Sequence, residues 1–198
     1  MCGITGLLSV RGRAEDSRPS IERMTAALEH RGPDDGGRFM ERSVALGHRR
    51  LAILDLSPAG RQPMVSADGR FVLVFNGEIY NFRELRERLD YPFRSQSDSE
   101  VLLAAWQNWG PGCLNELVGM YAFAVWDRHE DRLHLVRDRL GIKPLYYFRN
   151  GDFLLFSSEI CSILASGIVP RRLDDQSLVD YLRYQCVHQP DTIVDGVR

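Results

Sequence analysis

Residues 71–75 read Phe-Val-Leu-Val-Phe, five apolar residues in a row, and Asn76-Gly77-Glu78 follows them directly. A strand with one face in water alternates apolar and polar residues, whereas a strand that is covered on both faces has an unbroken apolar run. Residues 120–126, from Met120 to Trp126, form a second run of this kind. Both runs therefore predict strands that are buried between two layers of structure.

Shorter segments complete the expected secondary structure. Asn150-Gly151 is a strong hairpin signal, and Ser97 or Asp98 is suited to cap a helix. The predicted strands are 2–10, 36–41, 43–48, 51–54, 133–136, 146–148 and 153–156, with a strand start at 192–194. The first predicted helix begins at Ser20 and is ended by Gly32, and three further helices cover 81–89, 99–109 and 175–185. Polar loops are expected at 11–17 and 57–69. Many strands with two blocks of helices indicate stacked sheets with helices outside, although periodicity alone does not establish that layering.

The composition excludes several classes of protein. The chain has 198 residues, 44% hydrophobic and 26% charged, and this is the composition of an ordinary globular domain. The net charge of −2 gives no electrostatic reason to expect a nucleic acid or an anionic membrane as partner. No apolar run approaches the roughly 18 residues that a membrane span needs, and the amino terminus lacks the pattern of a secretory signal.

The cysteines are widely spaced and contain no Cys-x-x-Cys pair. This spacing argues against a zinc site and against a disulfide scaffold, so we expect no metal in this chain. A reducing cytoplasm is the expected compartment, because it would keep the thiol of Cys2 free. The four positions are Cys2, Cys113, Cys161 and Cys186.

Cys2 combines two chemical functions if Met1 is removed. Trimming would leave a thiol and a free α-amine on the same residue. An α-amine titrates near pH 8, so at neutral pH an appreciable fraction can act as a base. Nucleophile and general base would then lie on one residue without a histidine. Taken alone, Met1-Cys2 is also compatible with an incidental cysteine at a frayed terminus.

Five further patterns accompany Cys2-Gly3-Ile4. They are His30-Arg31-Gly32-Pro33-Asp34, Gly47-His48-Arg49-Arg50-Leu51, Asn76-Gly77-Glu78-Ile79-Tyr80-Asn81, Ser97-Asp98-Ser99-Glu100 and the segment 137–147. Together they closely resemble class II glutamine amidotransferases of the N-terminal-nucleophile type, in particular the glutaminase domain of glutamine-hydrolysing asparagine synthetases. The resemblance covers residues 2–198 as one glutaminase domain. It implies an α+β fold, a four-layer αββα sandwich with two mostly antiparallel sheets between helical layers.

The resemblance also implies a catalytic set. Cys2 would attack the side-chain amide of glutamine, and the Asn76 side chain with the Gly77 backbone N–H would form the oxyanion hole. The α-carboxylate of glutamine needs a forked cation, for which the resemblance indicates Arg50, with Arg49 as the competing choice. Asp98 would bind the α-ammonium group, with Glu78 nearby, and Leu51 and Ile53 would present backbone around the head group.

Two histidines are open to more than one interpretation. His30 and His48 suggest a metal site or acid–base chemistry, but no cluster with ligand spacing accompanies them, which favours a structural role. We expect Arg31-Gly32-Pro33-Asp34 to shape the loop over the nucleophile. Residues 157–159, Ser-Ser-Glu, also match the family and are interpreted as scaffold.

Ammonia is expected to pass to a C-terminal synthetase domain or partner subunit. Neither a Ser-Gly-Gly-x-Asp-Ser loop nor a Walker A motif occurs in the sequence. We therefore expect the ATP-dependent synthetase domain to be absent from this chain and no cofactor to bind here, with ATP and Mg²⁺ needed only by the missing domain. The acceptor of the ammonia stays open, because many related proteins act on acceptors other than aspartate.

Two other functions compete with a glutaminase. The first is a catalytically silent binding or regulatory module of the same fold. The second is an N-terminal-nucleophile hydrolase for other amides, which the charged pair Arg50 and Asp98 disfavours. An apolar edge left exposed near Arg198 predicts marginal solubility or a homodimer.

Overall fold

A computed structural model describes residues 1–12 and 14–198. Arg13, which falls in the loop expected at 11–17, lies outside the described residues. The strands are β1 (Gly3–Ser9), β2 (Asp35–Glu41), β3 (Val44–Arg50), β4 (Met64–Val65), β5 (Phe71–Ile79), β6 (Gly119–Asp127), β7 (Arg132–Arg137), β8 (Tyr146–Arg149) and β9 (Phe153–Ser157). The α-helices are α1 (Arg18–Ala26), α2 (Phe82–Glu87), α3 (Asp98–Trp109), α4 (Ile160–Ala165) and α5 (Asp175–Tyr184).

The strands form two antiparallel sheets. The first sheet has the order β2-β3-β1-β9-β8, and the second has the order β4-β5-β6-β7. Because β1 pairs with both β3 and β9, it holds the start of the chain in the middle of the first sheet. A central strand cannot fray as a free terminus does, so residue 2 has a defined position.

Side-chain alternation along β5 explains its unbroken apolar run. Val72 and Val74 face the first sheet and pack with Trp126 and Phe156. Leu73 and Phe75 face the other way and pack against the residues of α3. Since consecutive residues of a strand point to opposite faces, burial on both faces requires every residue of this run to be apolar.

Helices cover the outer faces of both sheets. The helix α3 is buried along most of its length over the second sheet. The helices α1 and α4 cover the first sheet, where Met24 and Ile163 pack with Leu7 and Leu155. The arrangement is a four-layer αββα sandwich of the α+β class, and this confirms the predicted fold.

Several boundaries differ from the prediction. The helix α1 begins at Arg18, two residues before Ser20, because the proline at position 19 is accommodated in a first helical turn. The short helix α4 was not predicted, since six residues are too few to show a helical period. Residues 192–194 do not form a strand and make only an isolated bridge from Val194 to Leu173.

The predicted strand at 51–54 is wrong. The strand β3 ends at Arg50, because the register of β1 begins opposite Arg49 and that of β2 begins opposite Arg50. Beyond that point no neighbouring strand is available for pairing. The backbone bonds instead to side chains: the N–H of Ala52 donates to Asp34 at 2.9 Å.

Within the described part of the chain, no helix combines the length and the apolar character that crossing a bilayer requires.

Candidate active site

A cleft with a volume of about 160 Å³ opens where the two sheets meet, at the start of β1. Residues from both sheets and from the first turn of α3 line it. All eight residues that the sequence analysis proposed for the site line this one cleft: Cys2, Arg50, Leu51, Ile53, Asn76, Gly77, Glu78 and Asp98. The fold therefore brings together residues that lie up to 96 positions apart in the sequence (98 − 2 = 96).

Cys2 lies immediately before β1 and is partly buried. Its Sγ donates to the carbonyl oxygen of Leu51 at 3.6 Å. Burial raises the pKa of the Cys2 thiol, and the positive charge of Arg50 opposes that shift. The thiol is therefore mainly protonated at neutral pH and needs a base to become a nucleophile.

The guanidinium group of Arg31 holds the backbone of Cys2 in place. Arg31 donates from Nε to the carbonyl oxygen of Cys2 at 3.0 Å and from Nη1 to Glu159 at 2.8 Å. Glu159 also pairs with His30 at 3.0 Å. His30 is therefore part of a hydrogen-bond network around Glu159 that supports Arg31, and this fits the structural interpretation of His30.

Asn76 and Gly77 lie inside β5, opposite Ala122 and Tyr121 of β6. The sequence suggested that they follow the strand, but the ladder with β6 continues to Ile79. The side-chain nitrogen of Asn76 is buried and has no hydrogen-bond partner among the described residues. An unpaired buried donor is costly, and it marks a place where a ligand oxygen can bind.

The backbone at Gly77 has no room for a side chain. A Cβ at this position would come within 2.4 Å of the carbonyl oxygen of Met120 and within 2.8 Å of the Phe75 ring. Glycine is therefore required for β5 and β6 to approach each other here. The same absence of a side chain leaves the Gly77 backbone open to the cleft.

The structure distinguishes Arg50 from Arg49. These consecutive residues of β3 point to opposite faces of the sheet. Arg50 lines the cleft and donates to the carbonyl oxygens of Ser57 (3.0 Å) and Asp55. Arg49 donates to the carbonyl oxygen of Gly32 at 3.0 Å and pairs with Glu29 at 3.2 Å, outside the cleft.

Asp98 provides the opposite charge. Ser97 caps α3, because its side chain accepts the N–H of Glu100, and this leaves the Asp98 carboxylate free to face the cleft. That carboxylate accepts the N–H of Ile79 at 3.0 Å. Burial raises the pKa of Asp98 to about 6, and the nearby charge of Glu78 contributes to the shift. Among the described residues, no basic side chain pairs with Asp98.

The loop after β3 forms the outer wall. Leu51 and Ile53 both line the cleft, yet Ile53 as a residue is 72% exposed. Asp55 joins this loop to the next wall by accepting the N–H of Gln96 at 2.9 Å. The wall is thus held by a few polar contacts rather than by a packed core.

The structure gives a physical account of segment 137–147. The Asp138 carboxylate accepts the backbone N–H groups of Tyr121 (3.2 Å), Ile142 (2.9 Å) and Lys143 (2.9 Å). Arg137 donates to the carbonyl oxygens of Gly141 and Lys143, each at 2.8 Å. The segment therefore folds around one carboxylate and one guanidinium group, and it places Lys143 in the cleft.

Gln62, Met120 and Lys143 are among the cleft residues that the sequence analysis did not propose as site residues. Gln62 falls in a turn-rich loop, and Met120 begins an apolar run that is typical of a core strand. The Lys143 Nζ lies 3.2 Å from the Sδ of Met1, so the segment 137–147 contacts the start of the chain. Nothing in the local sequence at Gln62 or Met120 indicates a site, whereas Lys143 lies in the segment 137–147 that carries part of the family resemblance.

A larger groove of about 1070 Å³ lies elsewhere, against β8 and the segment 186–198, and its walls are mainly apolar. None of the eight nominated residues lines it. Among the described residues, no group of three or more histidine, cysteine, aspartate or glutamate side chains is arranged to hold a metal ion.

Comparison with known proteins gives a consistent result. A family model described as glutamine amidotransferase domain matches residues 1–198. Asparagine synthetase (glutamine-hydrolyzing) 3 of Bacillus subtilis (strain 168) is 40% identical over 100% of this chain and 33% of its own length. Amidase chry2 of Gibberella zeae is 37% identical over 89% of this chain and 29% of its own length. The chain spans about a third of the length of these curated relatives.

Solved structures support the fold. Glutamine phosphoribosylpyrophosphate amidotransferase from B. subtilis, complexed with ADP and GMP, superposes with a TM-score of 0.69 and 24% identity. The superposition covers 84% of this chain and 44% of that chain.

Proposed function

This chain belongs to the class II glutamine amidotransferases of the N-terminal-nucleophile type, and on that premise we propose that it hydrolyses the side-chain amide of L-glutamine to glutamate and ammonia. The observation that carries the proposal is the convergence of Cys2, Asn76, Arg50 and Asp98 on one cleft. These groups supply a nucleophile, an oxyanion donor, a cation and an anion. The cleft volume of about 160 Å³ suits a single amino acid, since pockets for drug-sized ligands measure ≈ 300–1,000 Å³.

The head group of glutamine explains the two charges. Its α-carboxylate would bind the Arg50 guanidinium, whose planar fork matches a carboxylate. Its α-ammonium would bind Asp98, with Glu78 close by. Leu51 and Ile53 would present their backbone around the head group. Simple amides and peptides lack a zwitterionic head, and this argues against a general amide hydrolase.

Acylation begins at Cys2 once Met1 has been removed. The α-amine of Cys2 takes the thiol proton, and Sγ attacks the side-chain carbonyl carbon of glutamine. The carbonyl oxygen becomes an oxyanion that accepts hydrogen bonds from the Asn76 side chain and the Gly77 N–H. The protonated amine then gives its proton to the leaving nitrogen, ammonia departs, and a γ-glutamyl thioester remains on Cys2.

Deacylation repeats these steps with water. The α-amine takes a proton from water as the water oxygen attacks the thioester carbon. The same two donors bind the second oxyanion. Collapse of this intermediate breaks the C–S bond, returns the proton to sulfur, and releases glutamate.

We further propose that the ammonia is used by an amide-forming domain or partner subunit of the asparagine-synthetase type. The support is the identity of the relatives, whose names include glutamine-hydrolysing asparagine synthetases. Other relatives are named amidases, so an acceptor other than aspartate is the alternative. ATP and Mg²⁺ would serve that second reaction and not the hydrolysis, which needs no cofactor in this chain.

A reducing compartment such as the cytoplasm is part of the proposal, because the thiol of Cys2 must stay free to react. A homodimer is also proposed, on the basis of apolar side chains exposed on α5, among them Val179 and Leu182. Sedimentation velocity would measure the oligomeric state.

A silent module is the second candidate, and it depends on whether Met1 is retained. In a chain that keeps Met1, the nitrogen of Cys2 is part of a peptide bond. A peptide nitrogen is not a base. A chain that keeps Met1 would therefore retain the cleft and lose turnover.

Ammonia release from glutamine tests the proposal. The wild type and Cys2→Ala are assayed together, with intact mass measured to establish whether Met1 is present. We expect release only from wild type that lacks Met1, while Cys2→Ala still binds glutamine in calorimetry. Release by clean Cys2→Ala would exclude Cys2 as the nucleophile, and no release by trimmed wild type would favour the silent module.

A further inference from the structure

His48 is fully buried and does not line the cleft. It lies in β3, opposite Ile4 of β1 and Gly37 of β2. Its Nε2 lies 3.2 Å from the carbonyl oxygen of Phe75 in β5. A carbonyl oxygen only accepts hydrogen bonds, so Nε2 carries the proton and donates it.

The imidazole of His48 is neutral. Burial lowers the pKa of His48 to about 4, so it carries no charge at neutral pH. Its Nδ1 is buried and has no hydrogen-bond partner among the described residues. The neutral ring donates one hydrogen bond through Nε2, and its Nδ1 has no partner among the described residues. Such a ring is suited to holding the Phe75 carbonyl in place rather than to transferring a proton.

Phe75 lies at a gap in the second sheet. The strand β4 pairs only with Leu73 and Val72, so it ends before reaching Phe75. Both polar groups of Phe75 are bound by side chains instead: His48 binds the carbonyl oxygen, and Gln62 accepts the N–H at 2.6 Å. A buried backbone group without a partner is destabilising, so these two side chains determine the position of this peptide.

The link joins the two halves of the cleft. His48 is the cross-strand neighbour of Ile4, two residues after Cys2. Phe75 is the residue directly before Asn76. In the part of the chain that the structure describes, no other side-chain hydrogen bond connects a strand of one sheet to a strand of the other. The nucleophile belongs to the first sheet and the oxyanion donors to the second. This bond links the two directly, beside the apolar packing of Val74 against Phe156 and the pairing of Arg128 with Glu41.

We propose that His48 is a positioning residue that holds Phe75, and through it the Asn76 and Gly77 donors, at the distance from Cys2 that the oxyanion requires. This inference rests on the proposed glutaminase activity. It gives His48 a specific role in the reaction without contact with substrate. Preorganised donors act on the transition state far more than on bound glutamine.

Replacement of His48 should therefore change kcat and leave KM nearly constant. Removal of an oxyanion donor costs about 100- to 1000-fold in rate, and we expect His48→Met to lower kcat by about 10- to 100-fold because it only displaces the donors. His48→Gln is the matched control, since its side-chain amide nitrogen reaches about as far as Nε2 and can donate to Phe75. It should recover most of the lost kcat.

A double-mutant cycle with Asn76→Ala tests whether His48 acts on the reaction through the oxyanion donors. If His48 acts through the oxyanion donors, His48→Met should have a much smaller effect in the Asn76→Ala background than in wild type. Additive losses would overturn the proposal, as would a loss in kcat/KM that comes from KM alone. If His48→Met does not fold, His48→Asn replaces it, because its shorter amide cannot reach Phe75.

A spectroscopic measurement separates this inference from the glutaminase proposal. The ¹⁵N and ¹H resonances of the His48 ring should show the neutral Nε2–H form from pH 7 to pH 5, whether or not the chain releases ammonia. A protonated ring or an Nδ1–H form in that range would overturn the inference. Absence of ammonia release from trimmed wild type, with the expected His48 spectrum, would count against the activity and not against the hydrogen bond.

Discussion

Arg50 and Asp98 line the same cleft and form no ion pair with each other. Arg50 comes from the first sheet, and its guanidinium donates to the carbonyl oxygens of Ser57 and Asp55 and keeps further N–H donors for a ligand. Asp98 comes from the start of α3, beside the second sheet. A zwitterion placed between them would pair with both, whereas a singly charged ligand would leave one of them unpaired.

The first prediction concerns the two arginines of β3. Arg50→Ala should raise KM for glutamine by roughly 10- to 100-fold, because a hydrogen bond to a charged group contributes about 1.5–3 kcal/mol. Arg50→Lys should recover only part of this loss, because lysine keeps the positive charge but its ammonium lacks the planar fork of a guanidinium. Arg49→Ala is the control, and its KM should stay near the wild-type value. Steady-state kinetics decides, and equal effects at both positions would contradict the assignment.

The second prediction concerns pH and Asp98. The folded protein raises the pKa of Asp98 from 3.8 to about 6 through burial. An acid with a higher pKa when folded binds more protons in the folded state, so its contribution to stability falls as pH rises from about 4 to about 6. Asp98→Asn should therefore be more stable than wild type at pH 7, by about 1–3 kcal/mol, and should show no such gain at pH 4.

Asp98→Asn should also bind glutamine poorly. Urea unfolding at both pH values and calorimetry with glutamine test the two halves of this prediction. A variant that is less stable at pH 7 would show that the hydrogen bond to Ile79 outweighs the burial of the charge.

The third prediction concerns Gly77. A Cβ at this position would lie 2.4 Å from the Met120 carbonyl oxygen, so Gly77→Ala should force β5 away from β6. In the proposed mechanism the Gly77 N–H donates to the oxyanion, so kcat should fall by at least about 10-fold. Gly112→Ala is the control, since a Cβ there meets nothing within 4 Å. Normal turnover by Gly77→Ala would show that the strand yields without cost to the site.

The fourth prediction concerns Asp138. The N–H groups of Tyr121 and Lys143 donate to one carboxylate oxygen of Asp138, and the N–H of Ile142 donates to the other. Asp138→Asn replaces one of these oxygens by an NH₂ group, which cannot accept a backbone N–H. Loss of accepted hydrogen bonds at a buried site should lower the free energy of unfolding by about 1–3 kcal/mol. Asp152→Asn is the control, because its carboxylate is exposed and pairs with Arg11 only at 3.8 Å. Urea denaturation of both variants provides the measurement.

Much of the fold was predictable from the sequence for a physical reason. An unbroken apolar run, as in 71–75, is possible only in a strand that is covered on both faces, and the structure confirms that arrangement. The hairpin at Asn150-Gly151 likewise follows from turn chemistry, and β8 and β9 pair as expected. These features depend on local patterns, which a single sequence contains.

The remaining errors depend on distant parts of the chain. Leu51 and Ile53 have strand-forming side chains, but they follow the end of β3. The strand stops at Arg50 because β1 and β2 offer no residue for pairing beyond that point, and only the register of these two strands reveals this. Gln62 serves the site by contacting Phe75, a residue 13 positions away. The two arginines of β3 differ in position, since Arg50 lines the cleft and Arg49 bonds to Gly32 and Glu29 outside it.

The division of the cleft between two sheets has a consequence for folding. Cys2 and Asn76 meet only when the sheets dock, and Trp126 is fully buried between those sheets. Contacts of this kind are distant in sequence and form late compared with local ones. During refolding from urea, ammonia release should therefore return together with the burial of Trp126, as one kinetic event, after the helices have already formed.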